Sequence, residues 1–101
     1  MAILGSMIKQ PNEILDFDID YTTVLAGRVD TLTTPSVTIS VVTGTNTTPL
    51  TAPTPTISGN LVKVVVSAGT DGVTYKATVV VNTTPAGLRY EDEVTLVVQD
   101  T

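Results

Sequence analysis

Between Leu15 and Tyr21 the chain alternates without exception, with Leu15, Phe17, Ile19 and Tyr21 on one side and Asp16, Asp18 and Asp20 on the other. Successive residues of a β-strand point to opposite faces, so this pattern is that of a half-buried strand with an acidic outer face. No stretch of the chain sustains a helical period, and its commonest residues, Thr and Val, are β-branched. Such side chains lose rotamer freedom on a helix and pack well on a pleated sheet. Hydrophobic residues make up 42% of the chain, but aromatics only 4%, and Trp is absent. Burial therefore falls to Val, Ile, Leu and Ala, which shield one another only between two facing layers. A length of 101 residues suits one such core.

The rest of the chain divides into further strands and turns. A second strand is drawn from Val29 to Val42, with Val37, Ile39 and Val41 sharing a face; Pro35 marks an edge, a bulge or a strand start, because it lacks a donor for the ladder. Leu61 to Val66 follows the Gly59-Asn60 turn signal, and Thr74 to Asn82 alternates with Tyr75, Ala77, Val79 and Val81 on one face. The last strand, Leu88 to Gln99, carries Asp92 on its otherwise apolar side, a conflict that a bulge near residues 91–93 would resolve. Thr22 to Gly27 breaks the alternation and reads as a turn or short helical connection.

Turns at intervals of roughly 8 to 14 residues match an all-β immunoglobulin-like sandwich of about seven antiparallel strands. Asp71-Gly72-Val73-Thr74-Tyr75 has the pattern of a tyrosine corner, giving Asp71, Gly72 and Tyr75 a structural role at the edge of the fold. The sandwich is expected over residues 13–101, behind a flexible N-terminal arm at 1–12. Within that arm, Gly5-Ser6-Met7 resembles an expression-derived leader over residues 1–6 followed by a second start. Deleting the arm should then leave the domain folded.

Composition excludes several activities. A net charge of −5, a pI near 4.2 and only five Lys and Arg leave little to neutralise phosphates, so no nucleic-acid partner is expected. With no His and no Cys, the Ser-His-Asp triad, thiolate chemistry and the commonest zinc ligands are all lacking. No run approaches the roughly 20 apolar residues of a spanning helix, and the start lacks a signal-peptide pattern. No membrane association, cofactor, metal or catalytic residue is expected.

The charged clusters have plain readings. Asp16, Asp18 and Asp20 are spaced to offer oxygens to a hard cation, but they lack the Gly and downstream Glu of a calcium loop and read as a solvated edge. Glu91, Asp92 and Glu93 alternate between faces and so do not form a facing carboxylate pair. Two peripheral segments remain as candidate contact surfaces: Lys9, Gln10, Pro11 and Asn12 in the arm, and Thr47, Thr48, Pro49 and Leu50 in the Thr/Pro-rich tract at 43–56. A loop of that length is often functional, though a tolerated insertion reads the same way.

The opening Ile8-Lys9-Gln10-Pro11-Asn12-Glu13, the strand Leu15-Asp16-Phe17-Asp18-Ile19-Asp20-Tyr21, the Ser67 to Tyr75 corner and the final Arg89-Tyr90-Glu91 strand resemble, in that order, phage fibre-tail adaptor proteins. The likeness spans residues 8 to about 99 and departs from the pattern in the 43–56 tract and at Val24, where a Trp is expected. It implies a structural protein of a tailed phage that links tail or neck to fibre or appendage. It also implies other virion proteins and further copies of the chain as partners, and a place in the virion after assembly in the host cytoplasm. A capsid decoration protein and a carbohydrate- or cell-surface-binding module are the alternatives. The shortage of aromatic platforms weighs against the second.

Overall fold

A computed structural model describes residues 2–100, with side chains from Gly5 onward; Met1 of the expected leader lies outside the described residues. The described chain is all-β apart from one helical turn. In order it runs β1 (Ala2–Lys9), β2 (Leu15–Asp20), α1 (Thr22–Leu25), β3 (Thr31–Thr43), β4 (Leu50–Thr51), β5 (Thr56–Ser58), β6 (Leu61–Ala68), β7 (Thr74–Thr84) and β8 (Arg89–Val98). One sheet has the order β1-β8-β7-β3 and the other β2-β6-β4, with β5 also on β6. The body measures 44 × 20 × 19 Å.

The two sheets share a core. Val62, Val64 and Val66 of β6 and Ile19 of β2 meet Tyr75, Ala77, Val79 and Val81 of β7 and Leu96 and Val98 of β8. All are members of the alternating sets, so the period-two pattern is what decides which side chains leave water. At roughly 1.5 to 3 kcal/mol for each large apolar side chain, the interleaved Val and Leu rows are the main force holding the sheets together. The acidic side of β2 faces out, as its alternation predicts, with Asp16, Asp18 and Asp20 all exposed.

Four local expectations are corrected. Residues 2–9 do not form a free arm: β1 pairs in parallel with β8, from Ala2 opposite Asp92 to Lys9 opposite Val98. The described residues therefore hold eight strands, one pair of them parallel, where about seven antiparallel strands were expected. The 43–56 tract is also not one loop, since Leu50 and Thr51 pair with Ala68 and Ser67. Finally, β8 carries no bulge against β7, whose register runs unbroken from Thr74–Val97 to Asn82–Arg89. Asp92 stays on the inner side because the Tyr21 hydroxyl donates to its Oδ2 at 2.6 Å. Pro35 does sit at a bulge: the β3–β7 register shifts between Thr33 and Ser36, with Thr34 at φ 47°.

Tyr21 is buried and stacks on Tyr90, the ring centroids 5.7 Å apart. Burial, the bond to Asp92 and that carboxylate's charge all favour the neutral phenol, so Tyr21 is held well above the ordinary value of 10.0. A phenol that stays protonated when folded and ionises when unfolded adds stability that is intact below pH 10 and is lost as pH rises further. Urea midpoints measured from pH 8 to 11.5 should therefore fall above about pH 10, and Tyr21→Phe should flatten that fall. An identical slope in the variant would refute the assignment.

Candidate functional site

The two candidate contact segments and the tyrosine corner lie at one pole of the body, where β1, β3 and β8 end and β2 and β7 begin. The segment Ala68-Gly69-Thr70 is the hub. Lys9 is fully buried, and its ammonium donates to Ala68 O at 2.6 Å, Gln10 O at 2.8 Å and Pro11 O at 3.2 Å. Burial holds its pKa below that of a free lysine, with the Glu13 carboxylate opposing the shift. Three carbonyl acceptors keep the charge tolerable there.

Two residues away, the Thr70 hydroxyl accepts from Thr47 N at 3.1 Å and Thr48 N at 2.7 Å and donates to Thr48 O at 3.0 Å. Thr70 N in turn donates to the Tyr75 hydroxyl at 2.9 Å, and that hydroxyl donates to Asn46 Oδ1 at 2.7 Å. One buried phenol thus ties the β3–β4 loop to the turn before β7. Asp71 Oδ1 accepts from Asp100 N, and Gly72 N donates to Val98 O, fastening the same turn to the end of β8.

Two glycines are required by this closeness. Gly44 has φ +106°, and a Cβ there would lie 2.9 Å from Val73 Cγ2 and 3.1 Å from the Val73 backbone. Gly69 has φ +102°, and its Cβ would meet Val98 Cγ2 at 2.8 Å. Only glycine accommodates both the backbone angle and the approach.

The candidate contact residues divide accordingly. Lys9 and Leu50 are buried and serve the interior, Leu50 within the main core. Gln10, Asn12, Thr47, Thr48 and Pro49 are exposed, Pro11 is half-buried, and Ile14 beside them leaves an apolar side chain 71% exposed. The surface they form carries Glu13, Asp71 and Asp100.

At the opposite pole the structure adds a group that the sequence did not announce. The buried Asp30 carboxylate accepts from Arg28 Nε and Nη2 and from Ala86 N, joining the loop before β3 to the β7–β8 turn. Arg28 and Asp30 are two residues apart, too ordinary a pair to signal a latch between loops distant in sequence. A depression of about 470 Å³ opens there among Gly27, Arg28, Val29, Asp30, Pro85 and Ala86.

Elsewhere the charged clusters stay apart. Asp16 lies 3.7 Å from Lys63 with both side chains exposed, a pairing worth little. Asp20 is held below the ordinary carboxylate range by bonds from Thr22. Glu91 and Glu93 lie on the face of β8 opposite to Asp92, Glu91 exposed but Glu93 buried, with Lys76 Nζ 2.9 Å from Glu93 Oε2, though not aligned as a hydrogen bond. Among the described residues, no group of three or more acidic side chains is arranged to hold a metal ion, and no helix is long and apolar enough to cross a membrane.

With this geometry in place, comparison with protein families is decisive. Residues 9–98 match the family model described as Gp77, Podophage GP4 fiber-tail adaptor protein gp77. The chain belongs to that family. The match covers nearly the span over which the sequence resembles fibre-tail adaptors, and it makes the protein a structural component of a phage tail and hence of a virion. A search of curated proteins found no match. The matched span opens on Lys9 and closes on Val98, two residues that the structure sets side by side as the last pair of the β1–β8 ladder. In this adaptor the family span therefore begins and ends at the same pole.

Proposed function

We propose that the chain is a rigid spacer of immunoglobulin-like type that joins the tail or neck of the particle to a fibre or appendage. It docks by the pole that carries Gln10, Asn12, Thr47, Thr48 and Pro49. The observation that carries this reading is the convergence of the two peripheral segments on the Ala68-Gly69-Thr70 hub, where buried Lys9 and Tyr75 fix the loops from within. Preformed loops on a rigid two-sheet body lose little entropy on docking, which is what a permanent structural joint needs. An acidic rim of Glu13, Asp71 and Asp100 suits a partner surface that presents Lys or Arg.

Sugar recognition gains nothing from the structure: Tyr21 and Tyr75 are buried and Phe17 and Tyr90 half-buried, so the aromatic rings do not form an open stacking platform.

The test is incorporation into particles. Asn12→Arg combined with Pro49→Arg places bulk and charge on the exposed pole without touching the hub. The variant should melt like the parent yet be missing from purified virions, while the parent is present in about six or twelve copies, as tail symmetry requires. Normal incorporation of the variant would exclude this pole as the joint. A copy number in the hundreds would point instead to decoration of the capsid lattice.

A further inference from the structure

The two sheets are unequal in width. One holds four strands side by side, β1-β8-β7-β3. In the other, β4 pairs with Ser67 and Ala68 of β6 and β5 with Leu61 to Lys63, both on the side away from β2, so that this sheet is only three strands wide. β2 is its outer strand and pairs with β6 alone among the described residues. Beyond β2, the sandwich is one strand short.

A cleft of about 210 Å³ opens at that flank between β1 and β2. Met7, Phe17, Ile19 and Val94 line it, with Gly5, Ser6 and Asp18 exposed at its rim. Met7 and Phe17 pack against the core yet stay half-buried. The volume falls below the roughly 300 to 1,000 Å³ of a site for a drug-sized ligand. It suits the side chains that a strand added to β2 would send inward at every second residue.

We infer that the outer edge of β2 takes up an extended segment of a partner protein in which Lys or Arg alternates with small apolar residues. The apolar row enters the cleft. The basic row stands beside Asp16, Asp18 and Asp20, all three exposed, and opposite charges on neighbouring strands attract where like charges repel. Lys63, 3.7 Å from Asp16, offsets only part of this row. The carboxylates that turn an acidic strand away thus admit a basic one.

A second copy of the chain does not supply such a segment. Its five cationic residues, Lys9, Arg28, Lys63, Lys76 and Arg89, stand singly, and its net charge is −5. The inference concerns the flank of the body and stands whether or not the Thr70 pole docks on a tail protein.

Amide NMR of the full chain, titrated at low salt with the peptide Lys-Val-Lys-Val-Lys-Val-Lys, tests it. The peptide should bind with a Kd below about 1 mM, shift the amides of β1 and β2 and slow hydrogen exchange along β2. Lys-Ser-Lys-Ser-Lys-Ser-Lys keeps the charge without the apolar row, and Glu-Val-Glu-Val-Glu-Val-Glu keeps the apolar row with the wrong charge. Each should bind at least about tenfold more weakly. Asp16→Lys with Asp18→Lys changes only exposed positions and should reverse the preference, so that the glutamate peptide binds better than the lysine one. A parent chain that leaves the lysine–valine peptide unbound at about 1 mM, shifts that fall away from β1 and β2, equal binding of the serine peptide, or a charge-reversed chain that still prefers lysine each overturns the inference.

Discussion

Removing residues 1–12 should cost the domain on the order of 5 kcal/mol, enough to unfold most of a population that begins with the stability usual for its size. This reverses what the sequence suggests, where the segment reads as a dispensable arm. The physical reason lies in β1. Its loss bares one side of β8 from Asp92 to Val98, uncovers the core where Met7 packs against it, and takes away the Lys9 ammonium. An orphaned buried acceptor costs about 1 to 3 kcal/mol, so the Ala68 carbonyl matters as much as the strand pairing.

The single change Lys9→Met separates the contributions. It keeps the apolar stem and β1 itself but removes the donor, and should lose about 2 to 3 kcal/mol, lowering the melting temperature by roughly 10 to 20 °C. Thermal melts of the truncated and substituted chains decide the matter. A truncated chain that melts with the parent would mean that β1 contributes nothing to the fold.

Tyr75→Phe should cost about 2 to 3 kcal/mol, more than a single hydroxyl on a half-exposed tyrosine would. The phenol is 1% exposed and joins Thr70 N–H in the turn to Asn46 Oδ1, and more loosely to Thr48 O, in the β3–β4 loop, so its loss strands the Thr70 N–H and unties that loop. The effect should also be local. Amide exchange at Thr47 and Thr48 should speed up while the β6 and β7 amides keep their relative protection, because those two donors reach a Thr70 that Tyr75 positions. A Tyr75→Phe and Asn46→Ala cycle should show coupling of about 1 kcal/mol or more. Strict additivity would mean that the phenol acts on the core alone.

How far the sequence could be read depended on how local the signal was. The inner rows of β2 and β7 were legible because alternation is written residue by residue, and the acidic face of β2 followed from the same pattern. β1 was not legible. A parallel partner 90 residues away leaves no mark on Ala2 to Lys9, and the lysine that anchors it has the look of a surface residue because its three acceptors are backbone carbonyls. Asp92 was noticed as a conflict but resolved wrongly, since a bulge is a local remedy and Tyr21 is a distant one.

At the pole of the Thr70 hub the named segments hold residues of two kinds. Lys9 and Leu50 were read as contacts within a free arm and a loop, whereas both are buried and anchor the exposed residues beside them. The Gly44 and Gly69 requirements depend on how closely Val73 and Val98 approach, which no period in the sequence encodes.

The placement of the tyrosines has a practical corollary. The chain has three and no tryptophan, so its near-ultraviolet signal comes from these rings. Tyr75 lies at the pole of the Thr70 hub, whereas Tyr21 and Tyr90 stack near the other. Events at the two extremities of this body are therefore optically separable without a label: whatever engages one end perturbs a lone buried chromophore, and whatever engages the other perturbs a coupled pair.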